Sequence, residues 1–158
     1  MTALSVAGVR WTGTWQNELG SLLRIEHIIS VVVPGGSGTE HYRVAGLYQT
    51  AKGSVPLKER FPVTGFVTAD QIVFTVSYRY VPHGEEDDDK HSLVAWAGQI
   101  LPTSENPAKE ELKTLWHLVP DLRTGEEEEQ YGWVIAWSGE DRFRKLSNDP
   151  EFDVLVTK

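Results

Sequence analysis

Large apolar residues fall at every second position along most of this chain, in short runs separated by polar or glycine-rich breaks. A spacing of two places them on one side of an extended strand. The longer period of a helix is almost absent, and only "NPAKEELKTLW" can be read that way. The alternation predicts eight strands in chain order. "VRWTGTW" sets Val9, Trp11, Gly13 and Trp15 on one face, and "LLRIEHIISVVV" does so for Leu23, Ile25, Ile29, Val31 and Val33. "PGGSG" then makes a hairpin turn. "HYRVAGLYQT" aligns Tyr42, Val44, Gly46, Tyr48 and Thr50, and "PVTGFV" is a short strand before "TAD". "QIVFTVSYRYV" aligns Ile72, Phe74, Val76, Tyr78 and Tyr80. "HSLVAWAGQIL" aligns Ser92, Val94, Trp96, Gly98 and Ile100. "LKTLWHLV" aligns Leu112, Thr114, Trp116 and Leu118, and "YGWVIAW" aligns Trp133, Ile135 and Trp137.

Eight amphipathic strands joined by polar turns suit an all-β, antiparallel, up-and-down barrel, which abolishes sheet edges by closing on itself. A barrel of that size holds side chains or one small ligand. A two-sheet sandwich is the competing architecture. The length of 158 residues suits one domain. The net charge of −8 argues against nucleic-acid backbones and anionic membranes as partners. No apolar run reaches the length of a membrane span, and the N-terminus shows no basic region followed by an apolar one. A secreted mature form and a cytoplasmic protein both remain open. The absence of cysteine excludes disulfides, zinc–thiolate sites and thiol catalysis. Six tryptophans either fill a barrel core or line a ligand site.

Several short motifs add to this pattern. "GTWQNELGS" (Gly13 to Ser21) resembles the first-strand signature of the avidin/streptavidin family of biotin-binding proteins. "GLYQTA" (Gly46 to Ala51) resembles that family's third-strand segment, and "FTVSY" (Phe74 to Tyr78) its fifth strand. "HSLVAWAGQ" (His91 to Gln99) and "LKTLWHL" (Leu112 to Leu118) are similar to the sixth and seventh. "GEDRF" (Gly139 to Phe143) resembles the motif with the last-strand aspartate. The motifs come in the family's order and cover the chain from Gly13 to Phe143. The resemblance implies a streptavidin-like barrel domain over 1–146, with 147–158 as a tail. It implies high-affinity, non-covalent biotin binding in the open end of the barrel, without catalysis or a cofactor.

Biotin presents a ureido ring, a sulfur, an aliphatic arm and a carboxylate. By resemblance, Asn17, Ser21 and Tyr48 donate to the ureido oxygen, as donors do in an oxyanion hole. Asp141 and Thr50 accept the two ureido N–H groups, the ionised acceptor making the stronger bond. Tyr78, Trp96 and Trp116 match the aromatic box, Leu118 adds wall, and Ser92 lies near the carboxylate end. Ser54 is an approximate match for a contact in the lid loop. Trp133 matches a tryptophan that caps the ligand from a neighbouring subunit, which implies a homo-oligomer, with a tetramer favoured over a dimer. Strand parity agrees: Tyr48 with Thr50, Ser92 with Val94 and Trp96, and Trp15 with Asn17 each share the face read as interior.

The chain departs from the family at Val94, where a threonine usually bonds the ligand sulfur, and at Tyr78, usually tryptophan. Both changes predict weaker binding. A longer second and third strand and the acidic segment "VPHGEEDDDKH" also differ. The acidic segment, with His83 and His91, reads as a solvated loop rather than a metal site. "PGGSGT" has no following GK[ST] and is not a phosphate loop. His27, His41 and His117 are scattered and imply no triad. The alternative reading is an avidin-like or lipocalin-like barrel for another small, largely apolar ligand, which Val94 and Tyr78 keep open. An enzyme on the same barrel lacks a second matched acid or base beside Asp141.

Overall fold

The computed structural model describes residues 6–31, 40–51, 59–80, 90–106, 109–120 and 137–149. A short helix, α1 (Val6–Trp11), leads into eight strands: β1 (Gly13–Asn17), β2 (Leu22–Val31), β3 (His41–Gln49), β4 (Arg60–Thr68), β5 (Gln71–Tyr80), β6 (Lys90–Pro102), β7 (Glu110–Val119) and β8 (Trp137–Ser147). Each strand pairs antiparallel with the next, and β8 pairs back to β1, so the sheet is a closed barrel in simple chain order. Closure satisfies the backbone of every strand without leaving an edge. The sandwich is excluded.

Alternation places one residue in two inside. β4 is the plainest case, with Phe61, Val63, Gly65 and Val67 inward and their neighbours outward. Register stacks the inward residues into cross-strand rows. Gly65, Phe74, Trp96, Trp116 and Gly139 form one row, and Val63, Val76, Val94 and Leu118 another. A third joins Ile72, Gly98, Thr114 and Asp141. Such rows are the unit by which a sheet packs its face.

Three expectations are corrected. Val9 and Trp11 do not extend the first strand, because they lie in α1. Thr12 N–H bonds Gly8 O at 3.0 Å to finish that helix, and Gly13, at φ +143°, turns the chain into β1. A side chain at Gly13 would collide with the Ser147 carbonyl, so the site admits glycine on two counts. The helix delivers Trp11 to the barrel floor, fully buried, where its indole donates to Ala69 O at 3.0 Å. Trp15 packs on it and donates to Trp11 O, also at 3.0 Å. Lys145 Nζ donates to Val9 O and Arg10 O at the end of α1, where a cation suits the helix dipole.

In β2 the inward set changes parity. The pairing with β3 slips between Ile25 and His27, which is a bulge. Beyond it Ile28 packs toward the core, while Ile29, expected inside, is 50% exposed. The alternation of 131–137, of which 131–136 lie outside the described residues, also stops the last strand at Trp137, whereas β8 runs on to Ser147. Its inward residues, Asp141 and Phe143, alternate with Glu140, Arg142 and Arg144, so the strand is polar in sequence and half-buried in space. Val33, Ile135, "PGGSG" and most of the acidic segment lie outside the described residues. "NPAKEELKTLW" is no helix: a turn tied by Thr103 and Asn106 feeds β7.

Trp11→Ala is expected to cost about 3–5 kcal/mol, the usual range for emptying a large buried aromatic site. Urea unfolding followed by intrinsic fluorescence measures it. A loss under about 1 kcal/mol would mean that α1 does not seal the floor.

Candidate functional site

The β1–β2 turn is built on Asn17, the last residue of β1. Its side-chain oxygen accepts the N–H groups of Leu19 (3.1 Å) and Ser21 (2.9 Å), and its main-chain oxygen accepts from Gly20 at 3.1 Å. This Asx arrangement uses up the amide oxygen. The buried amide therefore presents only N–H donors to the barrel interior.

Ser21 is buried, and its hydroxyl oxygen accepts Ala51 N–H at 3.0 Å. The same hydroxyl bonds the Tyr48 phenol. Burial pushes the Tyr48 proton affinity well above the usual phenol range, so Tyr48 stays a neutral donor. Thr50, just beyond β3, is also buried.

Asp141 is the acceptor of the site. Its Oδ2 takes the Trp96 indole N–H at 2.9 Å, and Asn17 and Trp116 also donate to the carboxyl. Thr114 Oγ1 donates to Asp141 O at 3.0 Å and fixes the backbone beneath it. Burial raises the carboxyl above the ordinary aspartate range, and the negative charge of Glu18 adds to that. The three donors work the other way, because they favour the ionised form.

Aromatic rings surround these groups. Trp96 stacks on Phe74 with centroids 4.8 Å apart and planes 9° apart, and it meets Tyr48 at 5.1 Å. Tyr78 meets Phe61 edge-on at 4.8 Å and Tyr48 at 6.3 Å. Tyr78 is buried and, like Tyr48, has its proton affinity raised by burial. Trp116 is half-buried, and Gly139 makes room for it: a side chain there would lie 2.4 Å from Trp116 Cζ2. Val94 sits between Val76 and Leu118 in an apolar row, and Ser92 pairs with Tyr78.

The structure thus brings Asn17, Ser21, Tyr48, Thr50, Tyr78, Ser92, Val94, Trp96, Trp116, Leu118 and Asp141 to the barrel interior. Ser54 and Trp133 lie outside the described residues. Phe61, Phe74 and Gly139 belong to the aromatic wall and were missed as site residues. Alternation signalled the first two, since Phe61 precedes Val63 by two and Phe74 precedes Val76 by two. No local signal marked the fit of Gly139 against Trp116.

The model of the Avidin family matches residues 5–146. The chain belongs to the Avidin family. No curated protein matches its sequence. Among solved structures, the chain is similar to xenavidin at 24% identity and a TM-score of 0.57, over 86% of this chain and 97% of the other. It is similar to a biotin-binding protein from chicken at 21% identity and a TM-score of 0.56, over 86% and 95%. It is similar to rhizavidin at 21% identity and a TM-score of 0.54, over 90% and 87%. At these identities the likeness to each structure speaks for the fold.

Gly139→Ala is expected to displace Trp116 and to destabilise the barrel by about 1–3 kcal/mol, as overpacking does. Near-UV circular dichroism and urea unfolding read the two effects. An unchanged spectrum and midpoint would mean that Trp116 yields freely.

Proposed function

We propose that this member of the Avidin family binds biotin non-covalently inside the open end of the barrel and performs no catalysis. The observation that carries the reading is a buried carboxylate held by Trp96 Nε1 at 2.9 Å, beside a turn and a phenol that offer donors. A cyclic urea needs that combination. Asn17, Ser21 and Tyr48 donate to its oxygen, and donation to one oxygen favours the charge-separated form of the urea. Asp141 and Thr50 accept its two N–H groups, and donation at one side strengthens acceptance at the other. Tyr78, Trp96, Trp116 and Leu118 enclose the ring and arm. Ser92 serves the carboxylate end, and Ser54, by the resemblance, adds a contact to the ligand.

Val94 replaces the sulfur contact with an apolar surface, and its neighbour Val76 extends that surface. This pair supports the second reading, a different small, largely apolar ligand in the same barrel.

We also propose a homo-oligomer, a tetramer in preference to a dimer, in which Trp133 reaches the site of a neighbouring subunit. Support comes from the outer face. Phe66, Val73, Ala97 and Leu115 form one cross-strand row there, with Phe66 49% and Leu115 57% exposed. They line an external cleft of about 640 Å³. Exposed apolar patches of this kind mark association surfaces, and symmetric copies would meet through self-complementary ones.

Asp141→Ala removes a buried charged acceptor and is expected to speed biotin dissociation by at least about tenfold. Release of labelled biotin after a chase measures it, and an unchanged rate would take Asp141 out of the site. Trp133→Lys is expected to reduce the assembled mass in light scattering or to shorten biotin retention. A variant with the parent's mass and off-rate would remove Trp133 from the neighbour's site.

A further inference from the structure

Glu18 follows Asn17 in the β1–β2 turn, and its side chain is exposed. The β1–β8 ladder ends with Asn17 opposite Phe143. Glu18 adds one more link beyond that end, because its Oε2 accepts the backbone N–H of Arg142 at 2.8 Å. Arg142 is the neighbour of Asp141. One carboxylate therefore ties the turn that carries Asn17 and Ser21 to the strand that carries the buried acceptor. A bond from a backbone N–H to an ionised oxygen is stronger than its neutral counterpart.

The same tie holds a negative charge close to Asp141. The groups facing the Asp141 carboxyl come from several elements. Asn17 at the end of β1, Trp96 on β6 and Trp116 on β7 are neutral donors. Tyr48 on β3 and Tyr78 on β5 are phenols that burial keeps protonated. Among the described residues, Glu18 is the charged group that acts on this carboxyl.

We propose that Glu18 is a positioning residue that sets the pH at which this site lets go of its ligand, by pinning the β1–β2 turn to β8 with a negative charge beside Asp141. The ligand part of this inference rests on the biotin reading. The direction follows from the charges. Burial first, and Glu18 second, make Asp141 take up a proton at higher pH than a free aspartate does. A protonated Asp141 loses the charge that strengthens its bond to a ligand N–H. Affinity is therefore full above the raised value and falls as pH drops through it. Neutralising Glu18 moves that fall to lower pH.

The test compares the parent with Glu18→Gln and Glu18→Ala. In ligand-free protein, the Trp96 indole N–H resonance, assigned with Trp96→Phe, reports ionisation of Asp141 during a pH titration. Both variants are expected to titrate at lower pH than the parent. Biotin dissociation is then followed across the same pH range. Glu18→Gln keeps an oxygen for Arg142 N–H, so its neutral-pH rate is expected to stay within about twofold of the parent. Glu18→Ala loses the tie and is expected to release biotin about tenfold faster at neutral pH. A Trp96 titration that is the same in all three proteins overturns the electrostatic role, and equal neutral-pH rates in the two variants overturn the tie. If the parent binds no biotin, the biotin reading fails, while the ligand-free titration still decides the electrostatic role of Glu18.

Discussion

A carboxylate taken out of water must be met by donors, or it will give up its charge. Asp141 is such a group, and the open end of this barrel is arranged around it. Trp96 from β6 meets it at 2.9 Å, and Asn17 from β1 and Trp116 from β7 join. Trp116 and Trp96 come from the two strands nearest β8 on one side, whereas Asn17, far away in sequence, reaches it only because closure of the sheet pairs β1 with β8. Fold and site are thus one constraint: the barrel must close for Asp141 to be satisfied. Each donor is in turn held in place. Phe74 stacks behind Trp96, Gly139 admits Trp116, and the Leu19 and Ser21 amides orient Asn17. Burial still outweighs this ring of donors and leaves the carboxyl with a raised proton affinity. A site in that condition has acceptor strength to spare for a further N–H.

Much of this was legible in the sequence because a strand has a period of two and a barrel has one inside. Tyr48 with Thr50, and Ser92 with Val94 and Trp96, had to share a face once their strands were recognised. The motif resemblance then supplied what periodicity cannot, namely which inward polar residues belong together. Asn17 and Asp141 are far apart in the chain, and nothing local to either announces the other.

The parts that were not legible have specific physical causes. Trp11 continues the alternation of the first strand in sequence, but its indole finds Ala69 O only when residues 6–11 coil. The bulge after Ile25 inserts a residue that no turn signal marks, and it exchanges Ile29 for Ile28 at the core. The stretch of β8 beyond Trp137 was missed because its outward residues are charged and its inward ones include an aspartate. A hydrophobic pattern does not see a strand whose buried face is partly a polar site. The functional residue most hidden was Glu18, whose role depends on one contact with the Arg142 backbone.

The central claim is that the donors and acceptors around Asp141 receive a cyclic urea. The most direct measurement is isothermal titration of the full chain with biotin, with a competing weaker ligand present if the curve is too steep to fit. The account predicts heat release that saturates near one biotin per chain, together with a rise in melting temperature. No heat and an unmoved melting temperature would contradict it, leaving the barrel and its buried aspartate to a different small ligand.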